Sequence, residues 1–202
     1  MKVQRLRHLG QVIFAIVVLT GCKALAVQEG IPKMGVPGTT ALADTATAML
    51  TEADVEALLI EAGDPSDTIR RGKILDSAPE FYIFLPEADA RVVQTFERNG
   101  VTYGSVGVSF YKATYIYEQA IGEVSYILNR TADTSGVQIQ VLSDIGESAK
   151  FLPPTAESAS HLLLSRCHTV TYLFLEPDSA ATETILSYVK DLDALISSRA
   201  CQ

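Results

Sequence analysis

The chain has 202 residues, with 16 Lys plus Arg against 24 Asp plus Glu, a net charge of −8, and 48% hydrophobic residues. An acidic balance of this kind argues against nucleic acid as a partner, because phosphate recognition needs clustered Lys and Arg. The same shortage argues against an electrostatic hold on anionic lipid.

Lys2, Arg5 and Arg7 make a positive start, Val12 to Leu19 is uninterrupted apolar sequence, and small residues lead to Cys22. This is the three-part layout of an export signal. It is not a membrane span, since Val12 to Leu19 falls far short of the ~20 apolar residues needed to cross the hydrocarbon core. The residues Leu19-Thr20-Gly21-Cys22 resemble the lipobox of bacterial lipoproteins. The resemblance covers the first tenth of the chain and no more. It implies that the Cys22 thiol receives a diacylglyceryl group, that the peptide is cut between Gly21 and Cys22, and that the new amine is acylated. Such an anchor is firm, because each buried CH₂ is worth ~0.8 kcal/mol and two chains already suffice. Lys23 follows the cysteine, where lipoproteins retained at the inner membrane usually carry Asp. The resemblance therefore implies an outer-membrane anchor facing the periplasm of the cell envelope.

The organisation expected is a signal peptide over 1–21, an anchor and tether over 22–48 and a single domain over 49–202. Without residues 1–21 the chain keeps 13 Lys plus Arg against 24 Asp plus Glu, a net charge of −11. Lys23 to Ala48 mixes Gly, Pro, Thr and Ala without apolar period, which reads as a tether.

A first helix is predicted from Thr51 to Ala62, capped by Thr51, with Val55, Leu58, Leu59 and Ala62 on one face. Arg70-Arg71-Gly72-Lys73, the one locally basic run, reads as a solvated loop. Phe81 to Leu85 is apolar on both faces and predicts a central strand. After Pro86, the spacing of Ala88, Val92 and Phe96 predicts a helix that stops at Asn99-Gly100. Val101 to Ser109 predicts a weak strand, because Gly104 and Gly107 interrupt it. A long helix is predicted from Phe110 to Asn129. It carries one stripe of Phe110, Ala113, Tyr117, Ile121, Val124 and Leu128 and, beside it, a second of Tyr111, Tyr115, Gly122 and Tyr126.

Val137, Ile139 and Val141 alternate with Gln138 and Gln140 and predict a strand with one wet face, near a sheet edge. Pro153-Pro154 breaks the chain, and Ala156 to Arg166 reads as a short helix. Thr169 to Leu175 is a second central strand, and Pro177-Asp178-Ser179 opens a last helix running to about Ser198. Alternating strands and helices predict an α/β or mixed α+β domain: a mixed sheet of about four strands, with helices packed on it and the C-terminal helix on the sheet.

With Cys22 assigned to lipid, Cys167 and Cys201 remain, and an even pair in an oxidising compartment reads as one disulfide. Placement agrees, because a strand from Thr169 and a helix returning from Asp178 bring Cys201 back near Cys167. Cys167-His168 is weak as a nucleophile pair, since neighbours on a strand point to opposite faces. His161 is the only other histidine after the signal, too few for a multi-histidine zinc site. No cofactor is expected, because Gly104-Ser105-Val106-Gly107 lacks the Lys of a phosphate loop and Ser109 lacks the G-x-S-x-G frame.

Two sets of residues carry the functional readings. Tyr111, Tyr115 and Tyr126 around Gly122 either form a platform for a partner or pack half-buried against the sheet. Acids at three predicted strand ends, Glu87 with Asp89, Asp144 with Glu147 and Glu176 with Asp178, either converge, if the strands are parallel, on a hard cation such as Mg²⁺ or Ca²⁺ or only complement the helices that follow. The first set predicts a lipid-anchored, protein-binding accessory or assembly factor of an envelope or secretion complex. The second predicts an anchored binder of a small ligand or divalent metal through Asp144, Glu176 and Asp178, an enzyme in one version. The missing catalytic set leans against an enzyme.

Overall fold

The computed structural model describes residues 49–75, 82, 84–177 and 182–201. The expectations for the signal, Gly21, Cys22 and the tether, and for Asp178, lie outside the described residues. Thr51 starts helix α1 (Glu52–Ala62) by reciprocal capping: its Oγ1 accepts the Asp54 N–H at 3.3 Å and Asp54 Oδ2 accepts the Thr51 N–H at 2.8 Å. This helix buries Val55, Leu58 and Leu59, the face predicted from their spacing.

The remaining elements are β1 (Ile69–Ile74), β2 (Ala90–Arg98), β3 (Val101–Phe110), α2 (Thr114–Ser135), β4 (Gln140–Val141), β5 (Ser148–Leu152), β6 (Ser160–Arg166), β7 (Thr169–Leu175) and α3 (Thr182–Ala200). The class is mixed helix and sheet, as expected, but the sheet is not a four-stranded mixed one. Seven strands among the described residues pair in the order β1-β2-β3-β7-β6-β5-β4, and every pairing is antiparallel.

The extra strands come from segments expected to do otherwise. Residues 90–98, expected to be helical, form β2. The Ala88, Val92 and Phe96 spacing of four fits a strand equally well, because any even interval keeps residues on one sheet face. Asn99 and Gly100, at φ 54° and 75°, are not a helix stop but a two-residue hairpin turn with Arg98 paired to Val101. The Arg70–Lys73 run is an edge strand, where charged side chains discourage further pairing. Residues 160–166, expected as a helix, form β6, buried on both faces from Ser160 to Ser165. A run such as Leu162-Leu163-Leu164 has no periodicity of its own and takes the state its neighbours impose.

Of the central strand expected over Phe81 to Leu85, Phe81 and Ile83 lie outside the described residues, and Tyr82, Phe84 and Leu85 form no strand; Tyr82 lies in a 3₁₀ conformation against a sheet face. A Cβ on Gly107 would collide with the Tyr82 ring, so glycine there is what lets this segment lie flat on β3. Far from weak, β3 is ten residues long and pairs on both sides. It runs through Phe110, so α2 begins at Thr114 rather than Phe110 and ends at Gly136 in the left-handed region, later than predicted. Of the strand expected over 137–141 only Gln140–Val141 pairs.

Alternation along the strands divides the core in two. On one face Val106, Val108, Phe110, Leu162, Leu164 and Leu173 meet α1 and α3. On the other Leu163, Val170 and Tyr172 meet Tyr117, Ala120, Val124 and Leu128 of α2, with Tyr82 and Leu85 alongside. Cys167 and Cys201 are bridged, with Cα atoms 5.3 Å apart, joining the β6–β7 hairpin to the end of α3.

Replacing both cysteines by Ala is expected to lower the unfolding free energy by about 3 kcal/mol, since the bridge closes a loop of intermediate length. Denaturant melts of the oxidised protein and the double variant check this. Gly107→Ala is expected to cost about 1–3 kcal/mol by driving the Tyr82 ring off the sheet. Thermal denaturation beside Gly136→Ala, whose Cβ meets no atom within 4 Å but whose φ is 68°, separates the collision from backbone strain.

Candidate functional site

The tyrosines expected to form one stripe are placed apart. Tyr111 precedes α2 and is fully buried; its N–H donates to His168 O at 2.9 Å and its hydroxyl accepts from Arg91 Nη2 at 3.1 Å. The same guanidinium donates to Pro86 O at 2.7 Å and Ser109 Oγ at 2.9 Å, so Tyr111 belongs to the packing beneath the helix. Tyr115 and Tyr126 are 72% and 61% exposed on the outer side of α2. Eleven residues make three turns to within about 20°, so their rings stand on one line about 16 Å apart. Gly122 lies between them, and a Cβ there would meet no atom within 4 Å. Two rings thus flank a bare length of helix, with Glu118 and Gln119 exposed beside them.

The strand-end acids do not converge, because convergence needs parallel strands and this sheet has none. Asp144 is exposed in the β4–β5 loop and pairs with Lys190 Nζ at 2.8 Å. The Lys190 hydrogen bond, a backbone hydrogen bond and the ammonium charge hold its carboxyl below the usual range. Glu147, three residues on, accepts the Cys167 N–H at 3.1 Å just before β7, whereas Glu176 follows the end of β7. That strand's length, about 20 Å for seven residues, separates the two groups. Among the described residues no three His, Cys, Asp or Glu side chains are placed to hold a metal.

Cys167 and His168 lie in a turn, not on a strand. Cys167 is held in its disulfide, and His168 stacks on Tyr117 with centroids 5.0 Å apart and hydrogen-bonds Tyr111 O through Nδ1 at 2.8 Å. Both side chains are committed to fixing the corner.

One site was not foreseen. Near the end of β7, on the face that α2 partly covers, lies a half-open pocket of about 370 Å³ walled by Leu75, Thr102, Ser105 and Phe174, with Glu176 at its rim. His161 of β6 lines it. Its side chain is only 9% exposed, its Nδ1 is hydrogen-bonded to the Tyr172 hydroxyl, and its ring lies edge-on to Phe174 with centroids 5.4 Å apart. Behind it the Tyr82 hydroxyl donates to Tyr172 O at 3.1 Å. Burial lowers the His161 pKa to about 4, so the ring is neutral at physiological pH. The sequence signal was the alternation of His161, Leu163 and Ser165, hidden by the expectation of a helix over 156–166.

The fold and these sites define a disulfide-bridged domain with an antiparallel sheet covered by helices on both faces. No protein-family model matches the chain, and no curated protein and no solved structure matches it.

His161 makes stability depend on acid. Above pH 6.5 the ring is neutral in both states and contributes no slope. Between about 6.5 and 4 the unfolded chain takes the proton first, so this group lowers stability steadily as pH falls toward its folded pKa of about 4. The full loss is of order 3 kcal/mol at 1.36 kcal/mol per pKa unit. Urea melts from pH 7.5 to 4 are expected to show this decline in the wild type and a flatter profile in His161→Phe.

Proposed function

We propose that the chain is a lipid-anchored protein of the bacterial envelope, fixed by acylated Cys22 to the periplasmic face of the outer membrane, which binds another protein as an accessory or assembly factor of an envelope or secretion complex. The observation that carries the binding role is the outer side of α2, where Tyr115 and Tyr126 stand exposed on either side of Gly122. Large exposed aromatics of limited flexibility anchor interfaces well, because they bury much area for little lost entropy. The exposed Glu118 beside them favours a partner with a basic patch. The placement is supported by the lipobox-like Leu19-Thr20-Gly21-Cys22 and by a bridged cysteine pair, which persists in oxidising compartments. No helix among the described residues is long and apolar enough to cross a membrane, so membrane attachment in this reading falls to Cys22.

Fatty-acid labelling of cells is expected to mark the wild type and not Cys22→Ala; equal labelling of both removes the anchor. A photocrosslinking residue at 115 or 126 is expected to give one common adduct. Gly122→Arg, which leaves the helix intact, should diminish that adduct, and rising salt should weaken it. Adducts that differ between the two positions, or that also form from position 52 on α1, would remove the binding face.

A further inference from the structure

We infer that the pocket beside His161 binds an uncharged, mainly hydrocarbon molecule with one hydrogen-bond acceptor, of the class of a medium-chain acyl ester, and that His161 receives the acceptor. The site is separate from the outer side of α2 and needs neither the lipid anchor nor a protein partner.

Size and wall chemistry come first. Leu75 and Phe174 supply apolar wall, and the strand backbone closes in at Gly104. The volume of about 370 Å³ lies within the range of small-molecule sites. It encloses about a dozen heavy atoms, taking ~30 Å³ for a water-sized particle, so the acyl chain and carbonyl of a longer ester lie within it and the alcohol group stands at the open side. Thr95, Thr102 and Ser105 line it as well, but the surface the lining turns to the cavity is almost wholly apolar.

His161 supplies the specificity. One ring nitrogen is engaged by the Tyr172 hydroxyl, and the ring lines the pocket while more than nine-tenths buried. Among the described residues Nε2 has no hydrogen-bond partner, whereas the pocket lies open beside it. A phenol is the better donor and a neutral imidazole nitrogen the better acceptor, so Tyr172 donates to Nδ1 and the proton of the ring sits on Nε2. The ligand must then bring an acceptor, which an ester carbonyl does.

Charge narrows the class. A neutral imidazole offers no cation to pair with a carboxylate, and Glu176 stands at the rim. A free fatty acid would place its charge against low-dielectric walls beside a like charge, whereas a neutral ester incurs neither cost.

The chain contains no tryptophan, so Phe174→Trp places a single indole reporter on the pocket wall. Titrated into the full-length protein below its micelle concentration, 1-decanoylglycerol is expected to give a saturable blue shift. Sodium decanoate at pH 7.5 should bind at least about tenfold more weakly, the factor expected for one unfavourable charge interaction. Adding His161→Phe should weaken the ester by about 3–10-fold, the worth of one hydrogen bond. The neutral dye N-phenyl-1-naphthylamine, which has no carbonyl, should bind that variant unchanged. Thr102→Phe, at an exposed rim position, should abolish binding of both. The dye and its displacement by the ester give the same readout on wild-type protein if the tryptophan variant does not fold. No saturable response to either probe, decanoate binding as tightly as the ester, or an ester affinity indifferent to His161→Phe would each overturn the inference.

Discussion

The structure depends on the two-residue turn at Cys167 and His168. Both have left-handed backbone, at φ 46° and 62°, in a hairpin where Arg166 pairs with Thr169. Neither is glycine, and each such residue carries a cost of roughly 1–2 kcal/mol. The turn persists because every neighbouring element holds it. The disulfide ties Cys167 to the end of α3, Glu147 accepts the Cys167 N–H, Tyr111 bonds both His168 O and Nδ1, and Tyr117 of α2 stacks on the imidazole. One residue earlier, Arg166 forks onto Asp193 of α3 at 2.5 and 2.9 Å, and Asp193 in turn accepts the Gly146 N–H at 2.9 Å. A local strain is offset by contacts from four separate stretches of chain, which therefore meet at one corner. An Asn-Gly turn would close the hairpin without strain, but it would tie neither helix to it.

Once that hairpin is fixed, alternation does the rest. β6 and β7 lie inside the sheet, and their odd and even residues feed opposite cores: Leu162, Leu164 and Leu173 toward α1 and α3, Leu163, Val170 and Tyr172 toward α2. A slip of one residue would send His161 and Tyr172 to the face closed by two helices and bring Thr171 to the other. The pairing of His161 with Phe174 across the ladder is thus a consequence of the register that the turn sets.

What the sequence showed was governed by range. Helix α1 was legible because its cap, its acids and its apolar face are local features, and β7 because Val170 to Leu175 has strand formers on both faces. The Cys167–Cys201 pairing was legible as geometry, since one strand and one returning helix determine it. Illegible were the strands whose identity depends on distant partners. Val92 and Phe96 satisfy either period, and only the Asn99-Gly100 hairpin, a signal read as a helix stop, decides between them. β6 is rich in leucine, a good helix former, and becomes a strand because β5 and β7 flank it. The tyrosine stripe was half legible. Tyr115 and Tyr126 do share a face, but β3 extends through Phe110 and leaves Tyr111 below the helix rather than on it.

The two surfaces proposed to act arise from one mismatch of dimensions. A sheet of seven strands at ~4.8 Å is nearly 30 Å wide, whereas a helix with its side chains covers about 10 Å. On the first face α1 and α3 share the work. On the second α2 packs over β6 and β7, and cover over β3 comes in part from the tight segment around Tyr82, which reaches Gly107 and the Tyr172 carbonyl. Among the described residues the ground between Leu75 and Glu176 stays open, apolar where Phe174 of the central β7 faces it and polar where His161, paired with Phe174, and Glu176 line it. A helix on the same face, with only one side committed to the sheet, leaves Tyr115 and Tyr126 facing outward. The pocket and the aromatic ridge are therefore what one helix leaves undone on a sheet that needs two.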